Sequence, residues 1–110
     1  MKEVKFTAEN RDRHFLYNPD EIVTTRDKAL GEIGEEFVIY DPLRAPRRFI
    51  LQDIISASFL GIVCTLRNCN LWEMEGFKSP SEFFQEICRI YPEASTLYVH
   101  QFVSVSEVGE

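Results

Sequence analysis

The segment Leu97-Tyr-Val-His-Gln-Phe-Val-Ser-Val105 constrains the fold more than any other. Successive side chains of a strand point to opposite faces. One face of this segment carries Leu97, Val99, Val103 and Val105, and the other carries Tyr98, His100 and Phe102. A strand that is apolar on both faces needs cover on both sides. In a chain of 110 residues, the size of one domain, that points to a small barrel with helices packed outside it. The apolar fraction of 45%, with nine Phe, four Tyr and one Trp, is enough to build one core. Residues 1–110 are therefore read as a single domain.

The rest of the chain supplies the other elements. Val4-Lys5-Phe6 reads as a short first strand, and residues 8–17 read as a short helix. Asn18-Pro19-Asp20 breaks that helix, because a residue before proline is pushed out of the helical region and Asn and Asp favour turns. The hexamer Glu21-Ile-Val-Thr-Thr-Arg26 then falls between the helix and the next strand, on neither. Gly31 and Gly34 mark a turn. Glu36–Tyr40, rich in β-branched and aromatic residues, is predicted to be a strand. Asp41–Pro46 is a loop with two prolines, and Arg48–Ser56 is a longer strand completing a hairpin. Apolar residues at 59, 60, 62, 63 and 66 have helical spacing, Gly61 weakens the pattern, and the fold of residues 58–72 stays open. Ser79-Pro80-Ser81-Glu82 is the clearest local signal: Ser at the N-cap, Pro at the first helical position and Glu two residues later form a capping box. Phe83, Phe84, Ile87, Cys88 and Tyr91 make one stripe of that helix, and Pro92 ends it. The order is β-α-loop-β-β-α-α-β with no glycine-rich phosphate loop. The fold class is α+β, a small mixed β-barrel with peripheral helices.

Charge and composition narrow the partners. Twelve basic and eighteen acidic residues give a net charge of −6. Residues 1–48 hold nine Lys/Arg against ten Asp/Glu, and residues 49–110 hold three against eight. A long-range negative field repels nucleic acid, so binding to extended duplex DNA is not expected. A nucleotide or a short single strand needs only a local basic pocket, and Arg26, Lys28, Arg44, Arg47 and Arg48 are its candidate sources. Arg47 and Arg48 open a strand, so alternation lets at most one of them face a cleft. No run of 18 apolar residues is present, so no membrane span is expected. The first residues lack the apolar stretch of a signal peptide, which makes a cytoplasmic location the expectation. Cys64, Cys69 and Cys88 are odd in number and argue against a disulfide framework. The Cys64–Cys69 spacing does not suit a zinc knuckle, and neither His14 nor His100 stands at ligand spacing, so no metal or cofactor is expected.

Several short motifs, taken in order, resemble the ASCH domain family. They are Phe6; the helix before the hydroxyl-rich stretch; Thr24-Thr25-Arg26; Gly34-Glu35-Glu36-Phe37; Glu75-Gly76-Phe77; the capped helix ending Ile90-Tyr91-Pro92; and Tyr98-Val99-His100-Gln101-Phe102. ASCH domains are small barrels of the PUA-like group, named for homology to activating signal cointegrator proteins. The resemblance implies a nucleotide- or RNA-binding cleft between barrel and helices, lined here by Thr24, Thr25, Arg26, Lys28, Glu75 and Trp72. Read locally, the same residues have plainer roles: Thr24 and Thr25 as turn formers, Arg26 as a surface ion-pair partner of Glu21 or Asp27, Glu75 as part of the turn at Gly76, and Trp72 as core or cleft wall. His100 reads as a packed or surface histidine rather than a catalyst.

Some small bacterial members of the family are amidohydrolases that remove an acyl group from N4-acetylcytidine. They look like Lys-Thr-x-Thr-x-Arg in the hydroxyl-rich stretch, with a Glu before the last helix. Aligned on Arg26, the Lys position here is Glu21, the first Thr is Ile22, the second is Thr24, and the Glu is Glu75, with Glu73 close by. A threonine nucleophile needs an adjacent base, and Glu21 places negative charge where the pattern has a cation. The sequence therefore leans away from an enzyme. Its leading reading is a domain that binds a nucleotide or short single-stranded RNA. The alternative is an amidohydrolase with Thr24 as nucleophile and Glu75 as acid/base or orienting group. A protein-interaction module is the third reading.

Overall fold

In the computed structural model, residues 2–6, 14, 18, 20–40, 46–68 and 70–105 are described, with backbone only at 63 and 65–68. Five strands form one sheet in the order β1-β3-β4-β5-β2: β1 (Lys2–Val4), β2 (Glu21–Arg26), β3 (Glu36–Ile39), β4 (Arg47–Ser58) and β5 (Thr96–Ser104). β1 runs parallel to β3, and all other neighbours are antiparallel. Three helices follow β4 or lie between β4 and β5: α1 (Phe59–Asn68), α2 (Leu71–Met74) and α3 (Pro80–Ile90). The expected helix over residues 8–17 lies outside the described residues apart from His14, which is helical. The loop at 41–45, Cys69 and the last residues, 106–110, also lie outside them.

The hexamer Glu21–Arg26 is not a loop but β2, paired with β5 from Glu21 opposite Val103 to Arg26 opposite Tyr98. Four of its six residues are β-branched (Ile22, Val23, Thr24, Thr25), and such side chains suit a pleated, half-buried surface. Tertiary cover decided the outcome: Ile22, Val23, Thr24 and Thr25 are all buried. The turn before the strand is set by Asn18, whose side-chain Oδ1 accepts from the Asp20 backbone N–H at 2.9 Å. This is the Asx geometry that makes Asn a turn former.

Two apolar clusters divide the faces of the sheet. Val4, Ile22, Phe37, Ile39, Phe49, Leu51 and Phe102 form one cluster that draws on all five strands. Val4 and Ile22 come from the two edge strands, so the cluster spans the width of the sheet. The expected barrel is not closed, however: among the described residues no ladder joins β1 to β2. The second cluster holds Val23, Leu97 and Val99 from the outer face against Ile62, Leu71, Phe77, Phe83 and Ile87 from the helices and their connections. Burying each Leu, Ile, Val or Phe contributes about 1.5–3 kcal/mol, so both faces of β5 hold the fold together.

A bulge adjusts β4 to this two-sided burial. Leu51 lies opposite Phe102 but Asp53 lies opposite Gln101, which leaves Gln52 as an extra residue. An inserted residue reverses the parity of a strand. Before the bulge, Phe49 and Leu51 face the inner cluster; after it, Ile54 does, while Ile55 and Ala57 pack on the helix side.

The helices fill the segment whose fold the sequence left open. α1 spans it despite Gly61, and α2 adds one short turn. α3 begins where the capping signal predicts: Ser79 Oγ accepts from the Glu82 backbone N–H at 3.1 Å. Glu82 itself accepts from the Lys78 backbone N–H at 3.2 Å rather than from that of Ser79. Arg47 pairs with Asp20, and Arg48 with Glu36 at 3.0 Å. Both arginines therefore act as strand-edge charges. No helix among the described residues is long and apolar enough to cross a membrane.

Candidate functional site

Alternation along β2 sends its two threonines to different surroundings. Thr25 faces the helices, where its hydroxyl donates to Glu75 Oε2 at 2.7 Å. Thr24 shares the inner face with Arg26, whose Nε donates to Thr24 Oγ1 at 3.1 Å. These two contacts use opposite sides of one strand. The resemblance pairs Thr24 with Glu75; the structure pairs Thr25 with it.

Glu75 is aimed by a helix ending. It is the C-cap of α2, and the next residue, Gly76, has φ of 90°. The Gly76 N–H donates to the Glu73 carbonyl at 2.9 Å and the Phe77 N–H to the Trp72 carbonyl at 3.2 Å. This pair of bonds is the Schellman arrangement, which needs a residue tolerant of positive φ at this place. Phe77 then anchors the turn in the helix-side cluster, with Trp72 packed at its rim. The result is a glutamate 1% exposed, held under β2. His14 Nε2 lies 3.7 Å from Glu75 Oε1, and the His14 ring lies 4.5 Å from that of Phe6, centroid to centroid.

Phe6 links the two halves of the site. Its ring lies 5.0 Å below the Arg26 guanidinium carbon, and Arg26 Nη2 donates to the Lys5 carbonyl at 2.8 Å. The guanidinium is thus fixed by a hydroxyl, a carbonyl and an aromatic face. It has five N–H donors; two are matched, and the other three have no partner among the described residues. Burial lowers its pKa, and the phenol of Tyr91 and the carboxyls of Glu75 and Asp27 oppose that effect. A guanidinium stays charged under such pressure.

His100 closes the inner side. It is 0% exposed. Its Nε2 accepts from the Leu30 backbone N–H at 3.0 Å, which makes Nδ1 the protonated nitrogen that donates to the Thr24 carbonyl at 3.3 Å. The imidazole clasps the Leu30 segment to β2, and burial, its largest influence, lowers its pKa. His14, Thr24, Thr25, Glu75 and His100 are the buried polar residues among those described, and all five belong to this one connected arrangement.

Of the candidates read from the sequence, Thr24, Thr25, Arg26 and Glu75 come together. Lys28 is exposed beyond the end of β2, and these hydrogen bonds do not include it. Glu21 is exposed at the opposite end of the strand, three residues or about 10 Å from Thr24. Its charge therefore bears little on Thr24, contrary to the weight the sequence reading gave it. Trp72 serves as partly buried wall. Arg44 lies outside the described residues. Among those residues no group of three or more His, Cys, Asp and Glu is placed to hold a metal.

Sequence reasoning passed over Phe6, His14 and His100 as parts of a network. For His100 a signal existed: a histidine inside a strand covered on both faces can be buried only if both ring nitrogens find partners. His14 carried no such mark, because it meets Glu75 only through the fold. No protein-family model, curated protein or solved structure matches the chain. The chemistry of the site therefore rests on its own geometry.

Proposed function

We propose that the chain is an ASCH-type domain that binds a nucleotide or short single-stranded RNA, with Arg26 as the anchor for a phosphate. The fixed guanidinium, with three N–H donors unmatched among the described residues, carries this reading. A planar fork held in place matches a phosphate bidentately and loses little freedom on binding. The bond from Arg26 to the Lys5 carbonyl ties the end of one edge strand to the chain just beyond the other. That contact supports a PUA-like barrel left open between β1 and β2. The test is a thermal-shift and calorimetric titration of wild type and Arg26→Ala with cytidine nucleotides and short single-stranded RNA. A ligand at a hundredfold excess over its Kd stabilises by about 2.7 kcal/mol. Arg26→Ala is expected to weaken affinity by about 1–3 kcal/mol. No nucleotide binding to wild type at millimolar concentration would end this reading in favour of a protein-interaction module.

A second reading, amide hydrolysis on an N-acylated nucleoside, is favoured by the 2.7 Å bond from Thr25 to Glu75 with His14 behind the carboxyl. A nucleophile bonded to a base that is oriented by a third group is the pattern such catalysis needs. In this scheme the Thr25 oxygen attacks the acyl carbon as its proton passes to Glu75. Glu75 then returns the proton to the departing N4 amine, and water releases the acyl group from Thr25. In this reading the nucleophile is Thr25 rather than Thr24, which the bond to Glu75 supports. With N4-acetylcytidine as substrate, Thr25→Ala is expected to abolish turnover and Thr24→Ala to retain part of it. Absence of turnover in the wild type removes this reading and leaves the binding one intact.

A further inference from the structure

A groove of about 460 Å³ opens where β2 ends and β5 begins. That is within the usual range of about 300–1,000 Å³ for small-molecule sites. Its walls include Tyr91 and Tyr98, the carboxylates of Asp27 and Glu93, and the hydroxyls of Ser95 and Thr96. It lies beside the anion anchor, since Asp27 follows Arg26 in the chain and Tyr98 is the cross-strand partner of Arg26. The charge runs from positive at Arg26 to negative in the groove, so a ligand spanning both must be anionic at one end and a hydrogen-bond donor at the other. Two tyrosine rings offer the flat apolar faces on which bases stack.

We infer that this groove receives a nucleobase bearing an exocyclic amino group (cytosine, adenine or guanine) rather than uracil, and that Asp27 is the acceptor that selects it. The inference rests on the nucleotide-binding reading above and adds the class of base. Cytosine presents its N4 amino group, adenine its N6 and guanine its N2 as donors, whereas uracil has no amino group. A carboxylate accepts from such an amino group and repels the lone pairs of the uracil carbonyls. Asp27 accepts no hydrogen bond from the described residues and is exposed, so its acceptor capacity is available. Its replacement should leave the fold in place.

The experiment is a calorimetric titration of wild type, Asp27→Asn and Arg26→Ala with CMP, AMP, UMP, inorganic phosphate and arginine amide, with melting curves as the fold control. Wild type is expected to favour CMP and AMP over UMP by about tenfold, the scale of one mismatched base-edge contact. In Asp27→Asn the preference falls to about threefold or less, because an amide can donate as well as accept. In Arg26→Ala all nucleotides weaken together and the preference stays. CMP and UMP binding equally to wild type, with loss of both in Arg26→Ala, would overturn the base assignment while leaving the nucleotide reading standing. Arginine amide binding as tightly as CMP would overturn it in favour of a cationic partner. No nucleotide binding at all would end both.

Discussion

Thr24 and Thr25 are neighbours in the chain and face opposite sides of the sheet, and that one-residue difference decides which of them meets Glu75. A two-residue period is legible in any strand. It is hidden here because, read locally, the breaker Asn18-Pro19-Asp20 places the hexamer in a loop, where no period applies. His100 shows the same logic one strand over, opposite Thr24. Its burial disfavours the imidazolium, so its folded pKa lies below the ordinary 6.5. The Thr24 carbonyl and Glu75 oppose this shift, and Arg26 adds to it. Between the lowered folded pKa and 6.5 the unfolded chain binds more protons, so stability rises with pH across that window. The contribution is complete above pH 6.5 and is lost as pH falls through the folded value. Denaturant midpoints measured at several pH values below 7 are expected to slope more steeply in wild type than in His100→Gln. Equal slopes would show that His100 is not the titrating group.

Glycine has opposite effects in the two elements that prepare the site. Gly76 takes φ of 90° to close the Schellman turn that presents Glu75. An L-residue in a left-handed conformation costs about 1–2 kcal/mol, so Gly76→Ala is expected to lower stability by that amount. Gly61 lies inside α1, where an added Cβ would meet the Ser58 hydroxyl at 3.4 Å and the Ala57 Cβ at 3.5 Å, an ordinary contact. There Gly61→Ala gains helix propensity and stabilises by up to about 1 kcal/mol. Shifts of opposite sign in urea unfolding check both, and a neutral Gly76→Ala would contradict the turn. Elements with strong local chemistry were legible: the Ser79-Pro80 start of α3, the strand at Thr96–Ser104 and the Asn18 turn each follow from a few adjacent residues. β2 and α1 were not, because buried neighbours distant in sequence stabilise them. The bond between Thr25 and Glu75 joins residues 50 apart, and no local pattern encodes it.

At the scale of the molecule, charge sets how far binding can extend beyond one anchor. The net charge is −6, and Arg47, Arg48 and Arg89 each pair with a carboxylate. Such pairs neutralise their arginines locally, so they add little attraction for a phosphate chain. Among the described arginines Arg26 differs, since its partners are a hydroxyl, a carbonyl and a ring. A single-stranded ligand should then release counterions at about one phosphate. For single strands the logarithm of affinity falls with the logarithm of salt at a slope of about −0.7 per phosphate neutralised. Raising salt from about 50 to about 200 mM is a fourfold change, so affinity for a short RNA is expected to fall only about threefold. The net negative field acts in the other direction, because salt also screens its repulsion, and this flattens the dependence further. Titrations of one short single-stranded RNA across that range measure the slope directly. A loss of a hundredfold or more would require several phosphate contacts, and with them a wide basic surface that the paired arginines do not provide.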